Sequence, residues 1–161
     1  YEGGHHVPFI IHWPGVTKPG VCDALVSQVD FMATIAAFLE VELPDSAAED
    51  SHDLLPLLKG DVESVRTTHI HNTRTEAYAI RHGDWVLIDY KTGYHSGQNK
   101  AWEAKRNMPA DDNTPVELYN LAEDIVQRNN LAPSNAERVK EMQALLAKIR
   151  EQGYSAPRLA K

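Results

Sequence analysis

The chain has 161 residues, of which 42% are hydrophobic, and its formal net charge is -7. This size fits one domain, or one domain with a piece of another, and the interspersed charges offer no basic face to a nucleic acid. The single cysteine, Cys22, excludes an internal disulfide and a thiolate metal cage, and no apolar stretch approaches the roughly 20 residues that would cross a bilayer.

The first part of the chain is predicted to form a strand, a turn-rich loop and two helices. Residues 7–13 (VPFIIHW) are a short apolar run between glycines and a Pro-Gly pair, as expected for a buried strand of a parallel sheet. Residues 27–30 (SQVD) have the form of a capping box. Apolar residues then recur at helical spacing, and residues 52–59 predict a short helix that ends at Gly60.

The second half is predicted to be an antiparallel sheet with one helix across it. Its strands are expected over residues 68–73, 77–81, 85–90 and 116–120, and residues 82–84 (HGD) join the second and third as a hairpin. A second capping box starts at Ser134, and the helix that follows stops at Gly153. The polar residues 91–115 predict a long loop. The fold class is therefore α/β, with an α+β C-terminal part.

Several sequence blocks follow one another in an order that is typical of one enzyme family. They are residues 1–4 (YEGG), 7–10 (VPFI), 13–15 (WPG), 27–30 (SQVD), 53–58 (DLLPLL), 79–81 (AIR), 83–85 (GDW), 117–121 (ELYNL) and 129–131 (NNL). In this order they resemble the C-terminal portion of a sulfatase of the arylsulfatase type, in the alkaline-phosphatase-like superfamily. The resemblance covers nearly the whole chain apart from residues 91–115.

The resemblance implies a division of the chain at residue 62. Residues 1–62 would supply the last strand and helix of the large α/β catalytic domain, and residues 63–161 a small C-terminal subdomain with an antiparallel sheet packed on a helix. Phe9, Ile11 and Phe38 would then be exposed in this chain and be covered by a partner chain or by self-association. The family also implies a sulfate ester substrate and a periplasmic or secreted location, while the first residues show no signal-peptide pattern.

The catalytic groups of the family are expected outside this chain. Sulfatases use a formylglycine made from the cysteine of a C-x-P-S-R motif, together with calcium, and Cys22 is followed by Asp23 and Ala24 instead. The resemblance implies that the calcium ligands and the sulfate-binding lysine also lie upstream. We therefore predict no catalytic residue, no calcium and no formylglycine in this chain, and no activity of the chain alone.

Three histidines are the candidates for contact with a substrate. His5 and His6 follow Gly3 and Gly4, and paired glycines let the backbone turn sharply or approach a ligand. At these two positions family members usually carry a variable residue and then arginine, so His6 departs from the pattern and has a structural role as its alternative. His71 starts a polar triplet (HNT) that resembles a stretch before the family's hairpin. We predict that all three contact the substrate and that His5 faces the pocket.

His69 and His71 lie on the same predicted strand and are candidates for metal ligands. Residues two apart on a strand point to one face, so His69 and His71 have the geometry of two metal ligands. No third ligand has a suitable spacing, and zinc needs at least three protein groups. The sequence therefore predicts no metal site.

Two other functions fit the sequence. The parent protein can be a phosphoester or phosphonate hydrolase of the same superfamily, or the chain can be a stand-alone binding module without catalysis. An upstream C-x-P-S-R or S-x-P-x-R motif would favour the sulfatase, and a lone Thr or Ser nucleophile the phosphoester hydrolase. A gene that begins near Tyr1 would favour the binding module.

Overall fold

The computed structural model describes residues 1–74, 76–91, 100–105 and 114–157. These residues belong to two compact units, and each unit uses two separate stretches of the chain. The first, hereafter the sheet unit, consists of Tyr1–Pro8 and Ile70–Ala147. The second, hereafter the helical unit, draws on Phe9–His69 and on the chain from Lys148. The division at residue 62, which refers to the domains of a longer protein, stays a prediction.

A four-stranded sheet with the order β1-β2-β3-β4 confirms the predicted C-terminal architecture. The strands are β1 (Thr68–Arg74), β2 (Ala77–His82), β3 (Trp85–Asp89) and β4 (Glu117–Asn120). Strands β2 and β3 pair antiparallel with His82 opposite Trp85, and Gly83 makes the connecting turn with φ of 60°. That left-handed conformation favours glycine, which explains the hairpin at this point of the sequence.

Both faces of the sheet are buried. Ile80, Leu87 and Leu118 are opposite one another on adjacent strands, and each is 0% exposed. The other face presents a cluster of alternating residues, against which two half-buried tyrosines pack. The cluster consists of Ala79, Val86, Ile88, Tyr119 and Leu121, and the two tyrosines are Tyr1 and Tyr90.

The predicted C-terminal helix is present and contacts strand β3 of the sheet. Helix α4 (Ala136–Gln152) follows a 3-10 turn at Ala132–Ser134 and ends at Gly153, whose φ is 78°. The guanidinium of Arg138 lies 5.4 Å from the ring centre of Trp85, and the Gln143 side chain donates to Asp89 Oδ1 at 2.8 Å. These two contacts are made to the two ends of β3, so the helix runs along that strand.

The helical unit begins its regular structure at the predicted capping box. The backbone N–H of Ser27 donates to Asp30 Oδ2 at 2.8 Å, and a 3-10 turn at Gln28–Asp30 leads into α1 (Phe31–Phe38). The short helix α2 (Leu55–Lys59) begins three residues later than predicted and ends at Gly60, whose φ is 81°. A left-handed residue just beyond the last turn is the usual end of a helix, and it is usually glycine.

The predicted strand over residues 7–13 is wrong for this structure. These residues have no strand assignment, because no strand of the described chain lies alongside to accept and donate the ladder hydrogen bonds. The predicted loop over residues 91–115 contains a short helix, α3 (Lys100–Lys105), while residues 92–99 and 106–113 lie outside the described part. None of the helices that the structure describes is long and apolar enough to cross a membrane.

Candidate functional site

The first six residues form a tight turn on the sheet unit, hereafter the N-terminal turn. A 3-10 helix at Glu2–Gly4 organises it, and the carbonyl of Glu2 accepts the N–H groups of His5 and His6 at 2.9 and 2.8 Å. Gly3 and Gly4 are exposed, and a Cβ at either one would meet no atom within 4 Å. The backbone at the two glycines is therefore open to another molecule.

Two of the three predicted substrate histidines are in contact. The rings of His5 and His71 have their centres 3.8 Å apart and are inclined at 47°. His71 lies on β1, so the strand and the N-terminal turn each supply one imidazole. Burial lowers the pKa of His5, and the Glu2 carboxylate opposes this change only in part. At neutral pH a neutral His5 ring has one nitrogen that donates and one that accepts a hydrogen bond.

The third histidine lies apart from this pair. The side chain of His6 is 72% exposed, and its Nδ1 is 3.4 Å from Glu2 Oε1. The structure thus gives His6 a contact within the turn. Substrate contact by His6 remains a prediction.

Glu2 links the turn to the hairpin. Its Oε1 lies 3.5 Å from Arg81 Nη1, while Arg81 Nε donates to the carbonyl of Gly83 at 3.0 Å. Sequence reasoning did not single out Glu2, although the YEGG block contains it, and it assigned Arg81 to the hairpin alone. The pairing joins residues 79 positions apart, so local spacing could not reveal it.

A second polar cluster lies inside the helical unit, around Asp30. Arg66 donates to Asp30 Oδ1 and, at 2.7 Å, to the carbonyl of Asp50, and the side chains of Arg66 and Asp30 are 1% and 0% exposed. The backbone N–H of His52 donates to the same Asp30 oxygen at 2.9 Å. Arg66 Nη1 also donates to His69 Nδ1 at 2.9 Å, which fixes a neutral His69 with its proton on Nε2. This cluster links residues 30, 50, 52 and 66 within the helical unit.

A metal site requires several ligand side chains close together. Within the part of the chain that the structure describes, no three or more His, Cys, Asp or Glu side chains are grouped so as to hold an ion. Cys22 is exposed and carries no disulfide. The residues that the structure describes therefore offer no ligand set that fits calcium.

Comparison with known proteins gives a consistent family. The sulfatase family model matches residues 1–41. An N-acetylgalactosamine-6-O-sulfatase of Bacteroides thetaiotaomicron is 33% identical over 93% of this chain and 28% of its own length. Arylsulfatase A of Bos taurus is 30% identical over 92% of this chain and 32% of its own length.

Solved structures agree with the sequence comparison. A structure from Bacteroides thetaiotaomicron, described in connection with the metabolism of multiple glycosaminoglycans, superimposes with a TM-score of 0.73 at 32% identity. It is matched over 89% of this chain and 29% of that chain. The chain thus spans about three tenths of the length of the curated relatives, with 28% and 32% of the first two covered.

Proposed function

Because this chain belongs to the sulfatase family and represents a C-terminal portion of its members, we propose that the whole protein hydrolyses a sulfate ester. Within that protein the chain supplies part of the wall of the substrate pocket and the C-terminal subdomain. The nucleophile, calcium and formylglycine belong to the rest of the protein. Two observations support this division of labour: no cysteine motif of the family surrounds Cys22, and the residues described contain no metal-binding cluster.

The contact between His5 and His71 is the observation that carries the proposed pocket wall. Two imidazoles lie together next to the open backbone of Gly3 and Gly4. Neutral imidazoles donate to and accept from the hydroxyl groups of a sugar or a phenol, which are the parts of a sulfate ester that distinguish one substrate from another. In this arrangement His5 and His71 bind the organic part of the substrate and leave the sulfate group to residues elsewhere.

Substitution of single histidines in the whole protein tests this proposal. With a sulfated N-acetylgalactosamine as the probe, His5→Ala and His71→Ala are each expected to raise KM roughly three- to tenfold, the loss of about one hydrogen bond to a sugar hydroxyl. Asn preserves a donor and an acceptor near the ring positions, so His5→Asn should recover part of the loss. Unchanged KM values for both alanine variants on every cleaved ester would overturn the pocket wall.

Two further assays test the reaction class and the division of labour. The whole protein should cleave sulfate esters much faster than the matching phosphate esters, and the reverse order would favour a phosphoester hydrolase. The purified 161-residue chain should show no turnover of either. Activity of that chain, free of contaminating enzyme, would mean that a nucleophile lies within it.

An apolar surface of the helical unit is part of the same proposal. Phe9 and Phe38 are 42% and 56% exposed, whereas Ile11 is half-buried. Phe9 stacks edge-on against Phe31 with ring centres 5.4 Å apart, so exposed rings adjoin one another. In the whole protein this surface packs against the part that the chain lacks, and the isolated chain is expected to self-associate through it. Sedimentation at increasing concentration tests this, and a monomer throughout would contradict it.

A further inference from the structure

Tyr1 is attached to the sheet by its ring and by its hydroxyl group. The ring meets Tyr119 edge-on with centres 5.8 Å apart, and the hydroxyl donates to Glu117 Oε1 at 3.1 Å. Glu117 and Tyr119 are on β4 and are 5% and 2% exposed. Burial raises the pKa of the Tyr119 hydroxyl, and the Glu117 carboxylate raises it further, so that hydroxyl stays protonated. A buried carboxylate thus receives its hydrogen bonds from tyrosines that contact each other.

Gln127 holds the next residue of the turn. Its side-chain oxygen accepts the backbone N–H of Glu2, and the residue is 1% exposed. Its φ of 53° lies in the left-handed region, which L-amino acids other than Asn and Asp seldom adopt. Such a conformation persists where surrounding structure fixes it, and burial of an amide requires hydrogen-bonding partners. Gln127 thus combines a left-handed backbone conformation with a buried side chain that contacts Glu2.

The N-terminal turn has little to stabilise it by itself. Its 3-10 helix has three residues and no buried side chain, and short 3-10 segments are weak because of their hydrogen-bond geometry. The contacts from Glu117, Tyr119 and Gln127, together with the pairing of Glu2 with Arg81, therefore hold the turn on the sheet unit. His5 directly follows that 3-10 helix, so its position depends on the same contacts.

We propose that Glu117 and Gln127 are positioning residues for substrate binding, which fix the N-terminal turn so that His5 meets His71 and faces the substrate. This inference rests on the proposed function of the two histidines. Neither residue needs to touch the substrate, because both act through the backbone and the tyrosine of the turn. The expected consequence is that their loss loosens the turn and weakens substrate binding while the chemical step keeps its rate.

The test compares variants of the whole protein by amide hydrogen exchange and by kinetics. Gln127→Ala removes the acceptor for Glu2, and Tyr1→Phe removes only the hydroxyl that donates to Glu117. Gln127→Glu restores an acceptor at the same place. The matched control is Gln143→Ala, which deletes a hydrogen bond to Asp89 in the same unit that the turn does not use.

Three results together are expected. Exchange of the amides in residues 1–6 rises several-fold in Gln127→Ala and in Tyr1→Phe, and it stays unchanged in the control. The KM for a sulfated N-acetylgalactosamine rises roughly threefold to tenfold in Gln127→Ala with kcat within about twofold, in line with one lost hydrogen bond. Gln127→Glu returns exchange and KM toward the wild-type values.

Hydrogen exchange and kinetics together distinguish an error in this inference from an error in the proposal that His5 and His71 bind the substrate. Unchanged exchange in Gln127→Ala and Tyr1→Phe overturns the positioning role, and His5→Ala can still raise KM in that case. Faster exchange with an unchanged KM, alongside a raised KM in His5→Ala, also overturns it. If His5→Ala leaves KM unchanged as well, the pocket wall fails and the inference that depends on it fails too. Should Gln127→Ala not fold, Tyr1→Phe decides the matter alone.

Discussion

The guanidinium of Arg66 is paired with the carboxylate of Asp30 in the interior of the helical unit, although the two residues are 36 positions apart. Removing one partner leaves the other as an uncompensated buried charge. We therefore expect Asp30→Asn and Arg66→Met each to lower the free energy of unfolding by about 3–5 kcal/mol. The double variant should lose much less than the sum. Chemical denaturation of the whole protein, followed by a probe in this unit, measures all three.

An exposed ion pair on α4 provides the control for this experiment. Lys140 Nζ lies 3.3 Å from Glu137 Oε1, and the two side chains are 72% and 87% exposed. Water and salt screen such a pair, so Lys140→Ala should change stability by less than about 0.5 kcal/mol. Equal losses for the exposed and the buried pair would show that burial does not determine the cost.

His52 predicts a pH dependence of stability. Its pKa is lowered from 6.5 by burial first and by the positive charge of Arg66 second, and the Val65 carbonyl and the carboxylates of Asp30 and Asp50 oppose this. In the range just below 6.5 the unfolded chain binds more protons at this residue than the folded one, so stability falls as pH drops through that value. The contribution is complete above 6.5 and is lost toward the lower folded pKa.

His52→Asn separates this contribution from all others. Its side-chain N–H can still donate to the Val65 carbonyl, which His52 Nδ1 contacts at 3.0 Å, but it does not titrate. Denaturation curves between about pH 5 and pH 7 should therefore fall less steeply for the variant than for the wild type. The exposed His12→Asn is the matched control in the same unit. A slope change as large in the control would contradict the assignment to His52.

His5 and His71 are expected to act as one unit in substrate binding. Their ring centres are 3.8 Å apart, so replacement of either ring removes the surface on which the other lies. A double-mutant cycle on kcat/KM should give a coupling energy of about 0.5–3 kcal/mol, as for residues in direct contact. The pair of His6 and His71 serves as the control, and its effects should add. Additive effects for His5 and His71 would mean that they bind substrate independently.

Replacement of Gly60 by alanine is expected to cost conformational free energy, whereas the same replacement at Gly20 is not. The φ of Gly60 is 81°, in the left-handed region, while Gly20 has no such φ, and a Cβ at either position would have no neighbour within 4 Å. Gly60→Ala should therefore destabilise the protein by about 1 kcal/mol. Gly20→Ala should be neutral, or stabilising by up to about 1 kcal/mol, because it restricts the unfolded chain. Thermal unfolding compares the two, and equal shifts would exclude backbone conformation as the cause.

Local patterns in the sequence identified most of the regular structure. The hairpin at Gly83, the capping box at Ser27 and the glycine after α2 each depend on residues within a few positions, so their chemistry is visible in the sequence. The strand predicted over residues 7–13 failed because a strand needs a neighbour, and an apolar run carries no information about one. Helix α3 was not predicted, because it lies in a polar stretch without an apolar stripe.

The sequence predicted which residues belong to the candidate site, but it could not predict how they are arranged. His5 and His71 were identified separately, one by the glycines before it and the other by a polar triplet. Their contact depends on how the N-terminal turn lies on the sheet. The turn contacts residues more than a hundred positions away, with 116 positions between Tyr1 and Glu117 and 125 between Glu2 and Gln127. Gln127 resembles a solvated loop residue in the sequence, because burial of its amide results only from tertiary packing.

The distance in sequence between Tyr1 and its partners on β4 also bears on how the protein is made. A ribosome adds Glu117 116 residues after Tyr1, and Gln127 follows later still. Until those residues emerge, the N-terminal turn lacks its contacts with Glu117 and Gln127, and its glycines and histidines are more accessible to chaperones and proteases. A substitution at Glu117 or Gln127 can therefore reduce the yield of a correctly docked N-terminal turn without changing the turn itself. In pulse-labelled chains halted before Glu117, the N-terminal turn should be cleaved by proteases more readily than in the complete protein.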